Sequence, residues 1–147
     1  MGPRPPRCRR PKLTNDRYLI VYGDIVTGVE NFRRLIEAFD SSGAEAAAMI
    51  HPLGDEDCSN WICAGFNGDC LTGIEGHPRG GSHRLCGIYV FKASATGYLL
   101  RNPGLVTQVP VGGMPPVESE VAQSVQVMLD DGRAVLAVPT TEFFVDV

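Results

Sequence analysis

The spacing of apolar residues predicts a helical first part of the chain. Residues 17–23 are rich in β-branched and aromatic side chains and predict a buried strand. Behind that strand, apolar residues recur at helical spacing between positions 29 and 39, which predicts the clearest helix of the sequence. Thr27 and Glu30 have the spacing of a capping box at its start. The alanine-rich residues 44–50 favour a second short helix.

The pattern changes from Cys58 onward, where glycine and proline become frequent and helical periodicity disappears. Residues 124–138 alternate regularly around an Asp131-Gly132 turn and predict the clearest hairpin. Further strands are predicted over residues 85–92, 104–110 and 141–145. We therefore expect an α+β fold, in which an N-terminal strand and one or two helices precede a mostly antiparallel sheet or a small SH3-like barrel.

Composition divides the chain into a tail and one domain. Residues 1–15 are rich in proline and arginine and are expected to be a disordered tail, whereas residues 16–147 are expected to form a single α+β domain. Within this domain we distinguish a helical part (16–57), a Cys/His loop (58–86) and a β-rich part (87–147). Each part alone would have a marginal core, so we expect them to share one.

The charge of the tail opposes that of the rest of the chain. The tail contributes five positive charges, from Arg4, Arg7, Arg9, Arg10 and Lys12. Because the whole chain carries −4, the remainder carries −9, which argues against a broad nucleic-acid-binding face on the folded part. The tail itself can bind nucleic acid through phosphate, or it can act only as a solubilising leader.

The sequence gives no sign of membrane insertion or secretion. No apolar run approaches the roughly 20 residues that span a bilayer, and the positive start is followed by the polar residues 11–16. We therefore expect a cytoplasmic protein without a membrane partner. In a reducing compartment, free thiols or a bound metal are favoured over disulfides.

Residues 58–86 contain most of the candidate chemistry. They hold four of the five cysteines, two of the three histidines and the single tryptophan. A zinc site is one hypothesis, with Cys63, Cys70, His83 and Cys86 as its ligands. The cysteine spacings are looser than those of a usual zinc knuckle, so a disulfide such as Cys70 to Cys86, or buried free thiols, remain alternatives.

Catalytic chemistry has only general candidates in this sequence. A cysteine nucleophile needs a nearby base, and Cys70 or Cys86 with His77 or His83 would supply that pair. The glycine pairs at 80–81 and 112–113 lack the surrounding pattern of a phosphate-binding loop, so they give nucleotide binding no specific support.

Two parts of the chain resemble uncharacterised actinobacterial proteins. Residues 18–28, with the following alanine-rich stretch and Asn60-Trp61, are similar to small proteins of actinobacteria and their phages. Trp61 to Cys70, His77-Pro78 and the Cys86-Gly87-Ile88-Tyr89 strand resemble a second actinobacterial domain, in which a cysteine stands at the position of Arg84. Neither resemblance implies a function.

The leading functional hypothesis is a non-enzymatic binding or adaptor module with a protein partner, of the kind that phages and mobile elements encode. One alternative is a nucleic-acid-associated protein that uses the basic tail. The other is a small cysteine-dependent enzyme. These three differ in whether the tail, a reactive thiol or neither is essential.

Overall fold

The computed structural model describes residues 16–56, 61–75, 81–101 and 121–147. The structural statements below concern those residues. Several sequence predictions lie outside them: the basic tail, Cys58, His77 and the strand over residues 104–110.

Eight strands and three helices follow one another along the described residues. The strands are β1 (Arg17–Val21), β2 (Ile25–Thr27), β3 (Ala46–Pro52), β4 (Cys63–Asn67), β5 (Cys70–Glu75), β6 (His83–Lys92), β7 (Val135–Pro139) and β8 (Phe144–Asp146). The helices are α1 (Val29–Ser41), a 3₁₀ helix (Ala93–Leu100) and α2 (Val121–Asp130).

One mixed sheet organises the fold. Six strands lie in the order β1-β6-β3-β7-β5-β4, and a further pairing between β4 and β6 closes five of them into a small barrel. All neighbours are antiparallel except β3 and β7, which run parallel. The remaining strands, β2 and β8, form a separate antiparallel ribbon. The expected α+β class with a mostly antiparallel sheet or small barrel is confirmed.

Each face of the sheet is covered by a different helix. Leu35 and Phe39 of α1 pack on one face together with Met49 of β3 and Ile88 of β6. On the other face, Val125 and Met128 of α2 pack with Tyr89, Phe91 and their neighbours. These will be called the α1 face and the α2 face. Burial of apolar side chains on both faces is the main source of stability.

The second predicted helix is wrong, because residues 46–52 form the central strand β3. Its first five residues, Ala46 to Ile50, are buried. Alanine favours a helix in isolation, but here small side chains let β3 lie between β6 and β7 with both faces covered. Tertiary packing therefore overrides local propensity in this segment.

The first half of the predicted hairpin is also wrong, because residues 121–130 form α2. Val125 and Leu129 fit strand alternation, but Val125 and Met128 also have helical spacing, and a short run cannot separate the two patterns. Gly132 ends the helix at φ +76°, and Arg133 N–H donates to the Met128 carbonyl at 2.9 Å. This is a Schellman-type end rather than a hairpin turn.

The predicted capping box does not form. Thr27 precedes the cap position, which is Gly28 without a side-chain cap bond. The Thr27 hydroxyl instead donates to the Phe143 carbonyl and accepts from the Asn31 amide. Asn31 also accepts from the backbone N–H of Thr141 at 2.9 Å. The start of α1 is therefore fixed to the chain that leads into β8.

The segment expected to be a Cys/His loop contains regular structure. Strands β4 and β5 pair as an antiparallel hairpin within it, from Cys63 opposite Glu75 to Asn67 opposite Cys70. Glycine-rich hairpins carry a weak periodic signal, so the pattern was not visible in the sequence. No helix among the described residues is long and apolar enough to cross a membrane.

Candidate functional site

A buried arginine at the start of β6 is the centre of the candidate site. The Arg84 side chain is 6% exposed, and its guanidinium lies 3.8 Å from the centre of the Trp61 ring and 4.7 Å from that of Phe144. Its Nη1 donates to Asp146 Oδ2 at 3.1 Å. The N–H groups of a guanidinium lie in its plane, so contact of its face with an aromatic ring leaves its edge free to form hydrogen bonds.

The register of four strands builds this arrangement. Arg84 lies opposite His51 of β3 and opposite Cys63 of β4, so β6 is flanked on both sides at this point. Strand β8 brings Phe144 and Asp146 over the same end of the sheet, because Phe144 packs in the core of the α1 face. The site is therefore held by regular secondary structure and not by a long loop.

The charge of Arg84 is only partly satisfied. Its Nε is buried and has no hydrogen-bond partner, and Asp146 is its one carboxylate within ion-pair distance in the described residues. A buried charge with incomplete partners is costly, and such groups are concentrated at functional sites. Asp146 is 30% exposed, so the pair opens to solvent on the aspartate side.

Two histidines flank the arginine. His51 Nδ1 is 2.7 Å from the Thr140 hydroxyl, and its ring lies 5.3 Å from that of Phe144. Burial and the Arg84 charge lower the pKa of His51. Burial also lowers the pKa of His83, whose ring meets Phe66 edge-on at 4.8 Å. Both imidazoles are therefore neutral at pH 7.

A second acidic residue, Asp24, lies near Asp146 in backbone position. The turn after β1 contains Asp24, whose carbonyl accepts from the N–H of Val147 at 2.9 Å. Asp146 is the register partner of Ile25, the residue that follows Asp24. The fold thus brings two acidic residues from opposite ends of the described chain to one end of the β2–β8 ribbon.

The expected zinc ligands are not assembled into a site. Cys63 is disulfide-bonded and has no thiolate to offer. Cys70 is an exposed free thiol in the β4–β5 hairpin, and Cys86 is a buried free thiol. Among the described residues, no group of three or more His, Cys, Asp or Glu side chains is placed to hold a metal ion. The Cys70–Cys86 disulfide is not formed either.

Cys86 lacks the environment of an activated nucleophile. Burial raises the pKa of the Cys86 thiol to about 12, which keeps it protonated at neutral pH. His83 bonds to the Ser82 hydroxyl, and no hydrogen bond joins it to Cys70 or Cys86 in the described part of the chain. A thiolate nucleophile needs a lowered pKa, so Cys86 has the opposite of the required environment.

Sequence reasoning missed Arg84, Asp24 and Asp146 as site residues. Arg84 comes directly before the apolar run of β6, and Asp24 follows β1 after Tyr22 and Gly23; β1 itself is half-exposed, so the predicted burial of this strand is wrong. Both are chemically distinctive positions at strand ends. Their proximity, however, depends on contacts between distant residues, since Arg84 and Asp146 are 62 positions apart and Asp24 bonds to Val147 at the other end of the described chain; no local pattern contains these contacts.

Comparison with known proteins places the fold in a specific class. No family model and no curated protein matches the chain. Several solved structures match the chain. One is the inositol-1-phosphate CTP transferase of T. maritima, which is 12% identical and has a TM-score of 0.68. The match covers 93% of this chain and 51% of that protein. The UTP-bound UGPase of Acinetobacter baumannii matches at 18% identity and 0.66, over 89% and 46%.

A third match is an apo UDP-glucose pyrophosphorylase, at 9% identity and a TM-score of 0.69, with 90% of this chain and 50% of that chain covered. The chain therefore shares the fold of these three structures and spans about half the length of each. Identities this low show the fold alone.

These neighbours correct the functional hypothesis drawn from the sequence. A non-enzymatic adaptor was expected, with a nucleic-acid-binding tail or a cysteine-dependent enzyme as alternatives. The matching structures are enzymes that transfer nucleotidyl groups, and the adaptor hypothesis is wrong on that ground. The resemblance to actinobacterial and phage proteins stays a prediction.

Proposed function

We propose that this chain is the nucleotide-binding part of a nucleotidyltransferase that acts on a sugar phosphate or a related phosphate ester. The observation that carries the proposal is the match of about nine-tenths of the chain to nucleotidyltransferase structures at TM-scores of 0.66–0.69. The substrate class follows the printed names of those proteins. The cytoplasm stays the expected compartment.

The geometry supports a phosphate site beside Asp24 and Asp146. Nucleotidyl transfer develops charge on phosphate oxygens, and a divalent cation commonly neutralises it. Magnesium is usually held by one or two carboxylates together with substrate phosphates, not by a full cage of protein ligands. Asp146, whose carboxylate lies beside Arg84, is the ligand that fits this requirement, and Asp24 lies at the same end of the β2–β8 ribbon through its backbone.

Arg84 has a separate role in this proposal. It touches Asp146 directly and is fixed by Trp61 and Phe144, so it orients the carboxylate. Arg84 is therefore a positioning residue for Asp146. Because Asp146 accepts from Arg84 through one oxygen, Oδ2, its other oxygen is left for a cation.

The test is ligand binding by the 147-residue chain. We would titrate UTP, CTP and dTTP by calorimetry, each with and without Mg²⁺, and repeat the titrations with Asp24→Asn. We expect Mg²⁺-dependent binding of at least one nucleotide, and about a tenfold loss of affinity in the variant. Glu37→Gln is the matched control, since it removes one exposed carboxylate from α1.

Binding that is absent for all three nucleotides would reject the proposal. Equal affinity of Asp24→Asn and the unmodified chain would reject the assigned site. A circular dichroism melt of each variant establishes that the comparison is made between folded proteins.

A further inference from the structure

One aromatic partner of Arg84 lies outside regular secondary structure. Trp61 precedes β4, and the centre of its ring lies 3.8 Å from the guanidinium carbon. The other aromatic partner, Phe144, belongs to β8 and packs in the core of the α1 face. Trp61 therefore depends on its attachment to β4 to stay in place over Arg84.

Cys63 provides that attachment at the start of β4. Its side chain is fully buried, and it lies opposite Arg84 in the register of β4 and β6. The Leu85 N–H donates to the carbonyl of Ile62 at 2.9 Å, so the backbone before Cys63 is also bonded to β6. The Cys63 Sγ lies 3.9 Å from the carbonyl oxygen of Trp61. A covalent bond formed by this sulfur therefore acts directly beside the backbone that carries the indole.

The Cys63 sulfur is part of a disulfide. The sequence has five cysteines, and Cys70 and Cys86 are free thiols. The partner of Cys63 is therefore Cys8 or Cys58, both of which lie outside the described residues. With either partner, the bond ties the start of β4 to a second point of the chain, and it does so two positions from the tryptophan.

A disulfide is unexpected in the compartment that the sequence predicts. In a reducing cytoplasm most cysteines stay as thiols, and the disulfides that do form are usually transient, catalytic or redox-sensing. Catalytic thiol chemistry needs an accessible sulfur, and Cys63 is buried. Redox sensing is the use that fits a disulfide placed beside the candidate site.

We infer that the disulfide of Cys63 is a redox switch of the candidate site. In the oxidised state it holds Trp61 on the guanidinium of Arg84, which in turn orients Asp146. In the reduced state Trp61 is released, and Arg84 loses one of its two aromatic contacts. The consequence for cation and nucleotide binding rests on the proposed function, whereas the release of Trp61 does not.

The reduction is a disulfide exchange with a dithiol. A thiolate of the dithiol attacks the partner cysteine, because the Cys63 side chain is fully buried. The S–S bond breaks, Cys63 leaves as a thiolate and takes up a proton, and a mixed disulfide forms on the partner. The second thiol of the reductant then closes its own disulfide and releases the partner as a thiol. Two electrons and two protons thus pass from the dithiol to the protein.

Trp61 reports its own release, because it is the only tryptophan of the chain. The 147-residue chain would be measured before and after treatment with dithiothreitol at neutral pH, and its free thiols counted in parallel. The count should rise by two, since one disulfide yields two thiols. The emission of Trp61 should shift to longer wavelength, and acrylamide should quench it more strongly, because the ring becomes more exposed to water. Circular dichroism establishes that the reduced chain is folded.

Cysteine variants identify the partner and provide the control. Cys63→Ala should have the emission of the reduced chain without any reductant. One of Cys8→Ser and Cys58→Ser should behave in the same way, and these two variants decide the matter if Cys63→Ala does not fold. Cys70→Ala is the control, since Cys70 is an exposed free thiol and its loss should leave the response to dithiothreitol unchanged.

Titration of nucleotide with Mg²⁺ tests the effect on the candidate site. Reduction should weaken binding about tenfold, as expected when a residue that supports a cation ligand is displaced. In Trp61→Leu the affinity should already be low and should not respond to dithiothreitol. Equal affinity in the two redox states, or a response that persists in Trp61→Leu, would overturn the assigned route through Trp61.

Three further results would overturn the inference. The first is a thiol count that does not rise while the chain is folded. The second is unchanged emission and quenching of Trp61 although the count has risen. The third is unfolding of the chain on reduction, which would make the bond a structural cross-link. Absence of nucleotide binding in both redox states would reject the proposed function, and the fluorescence would still decide whether Trp61 is released.

Discussion

The two faces of the sheet use the same strands for different purposes. The α2 face is packed with apolar and aromatic side chains, including Tyr89, Phe91 and Met128. The α1 face has similar packing around Leu35, but near the start of β6 it holds the Arg84–Asp146 pair. The α2 face therefore has an apolar core throughout its described part, whereas the α1 face also contains a buried ion pair.

The polar groups on the α2 side differ in kind. Tyr98 and Arg101 both donate to Asp131, but this network is exposed to solvent, where such interactions contribute little. Ser124 and Gln123 of α2 have buried oxygens without partners, yet these groups are neutral. Among the described residues, the α1 face alone buries a guanidinium. A buried charge with incomplete partners is weak evidence of a role in stability.

The largest expected effect is the loss of stability when a buried side chain is truncated, and it shows whether the two faces are equally well packed. Leu35 on the α1 face and Met128 on the α2 face are both fully buried. Leu35→Ala and Met128→Ala should each lower the free energy of unfolding by about 3 kcal/mol, because each leaves a cavity. Urea denaturation measures both, and a cost below about 1 kcal/mol for either one would show that its face is loosely packed.

The next effect is the stability lost when one member of the Arg84–Asp146 pair on the α1 face is removed. Removing the Asp146 carboxylate leaves the Arg84 guanidinium, which is 6% exposed, without its ion-pair partner. Removing Arg84 leaves the Asp146 carboxylate, which is 30% exposed and can be hydrated. Asp146→Asn should therefore cost about 3 kcal/mol and Arg84→Met only about 1 kcal/mol.

The double variant Arg84→Met/Asp146→Asn should recover most of the loss caused by Asp146→Asn, since no buried charge remains. Equal costs for the two single variants, measured by urea denaturation, would contradict the stated asymmetry. Asp131→Asn is the control on the α2 side, where the carboxylate is exposed and the effect should be much smaller.

Sequence patterns predicted the elements that local chemistry determines. The strand at residues 17–23, the helix over 29–39 and the strand over 85–92 correspond to β1, α1 and β6. In each of these segments the spacing of apolar residues is regular over the whole element, so the local preference of the sequence and the packing in the fold favour the same structure. The fold class followed from these elements.

The predictions failed where tertiary context opposes local propensity. Alanines 46–48 favour a helix but lie in β3, within the sheet. The apolar residues of 124–129 fit both strand alternation and helical spacing, and they form part of α2. The zinc hypothesis relied on nearness in sequence, and in the described structure Cys63 is disulfide-bonded, Cys70 is exposed and Cys86 is buried. The Arg84 centre needs β8, which is far away in the sequence, so no local motif predicts it.

Thiol reactivity gives a smaller contrast between a buried and an exposed position. Cys86 lies in the core of the α1 face with its pKa raised to about 12 by burial, whereas Cys70 is exposed at the hairpin. At pH 8, iodoacetamide should modify Cys70 at least about tenfold faster than Cys86, because the thiolate is the reactive form. Peptide mapping by mass spectrometry reads each site separately. Comparable rates would mean that this face opens readily to solvent.

The smallest effect is the dependence of stability on pH. His51 and His83 have their pKa values lowered, chiefly by burial, from 6.5 in the unfolded chain. The unfolded state therefore binds more protons near pH 6, so the contribution of these histidines to stability is present above pH 6.5 and is lost as the pH falls through their folded pKa values. The midpoint temperature of thermal unfolding should therefore fall as the pH is lowered from 7.5 to 5.5.

The variant His51→Gln should make this fall in midpoint temperature smaller. The Arg84 charge also opposes protonation of His51, and this contribution disappears with the imidazole. A slope that is unchanged in His51→Gln would place the pH dependence outside the Arg84 centre.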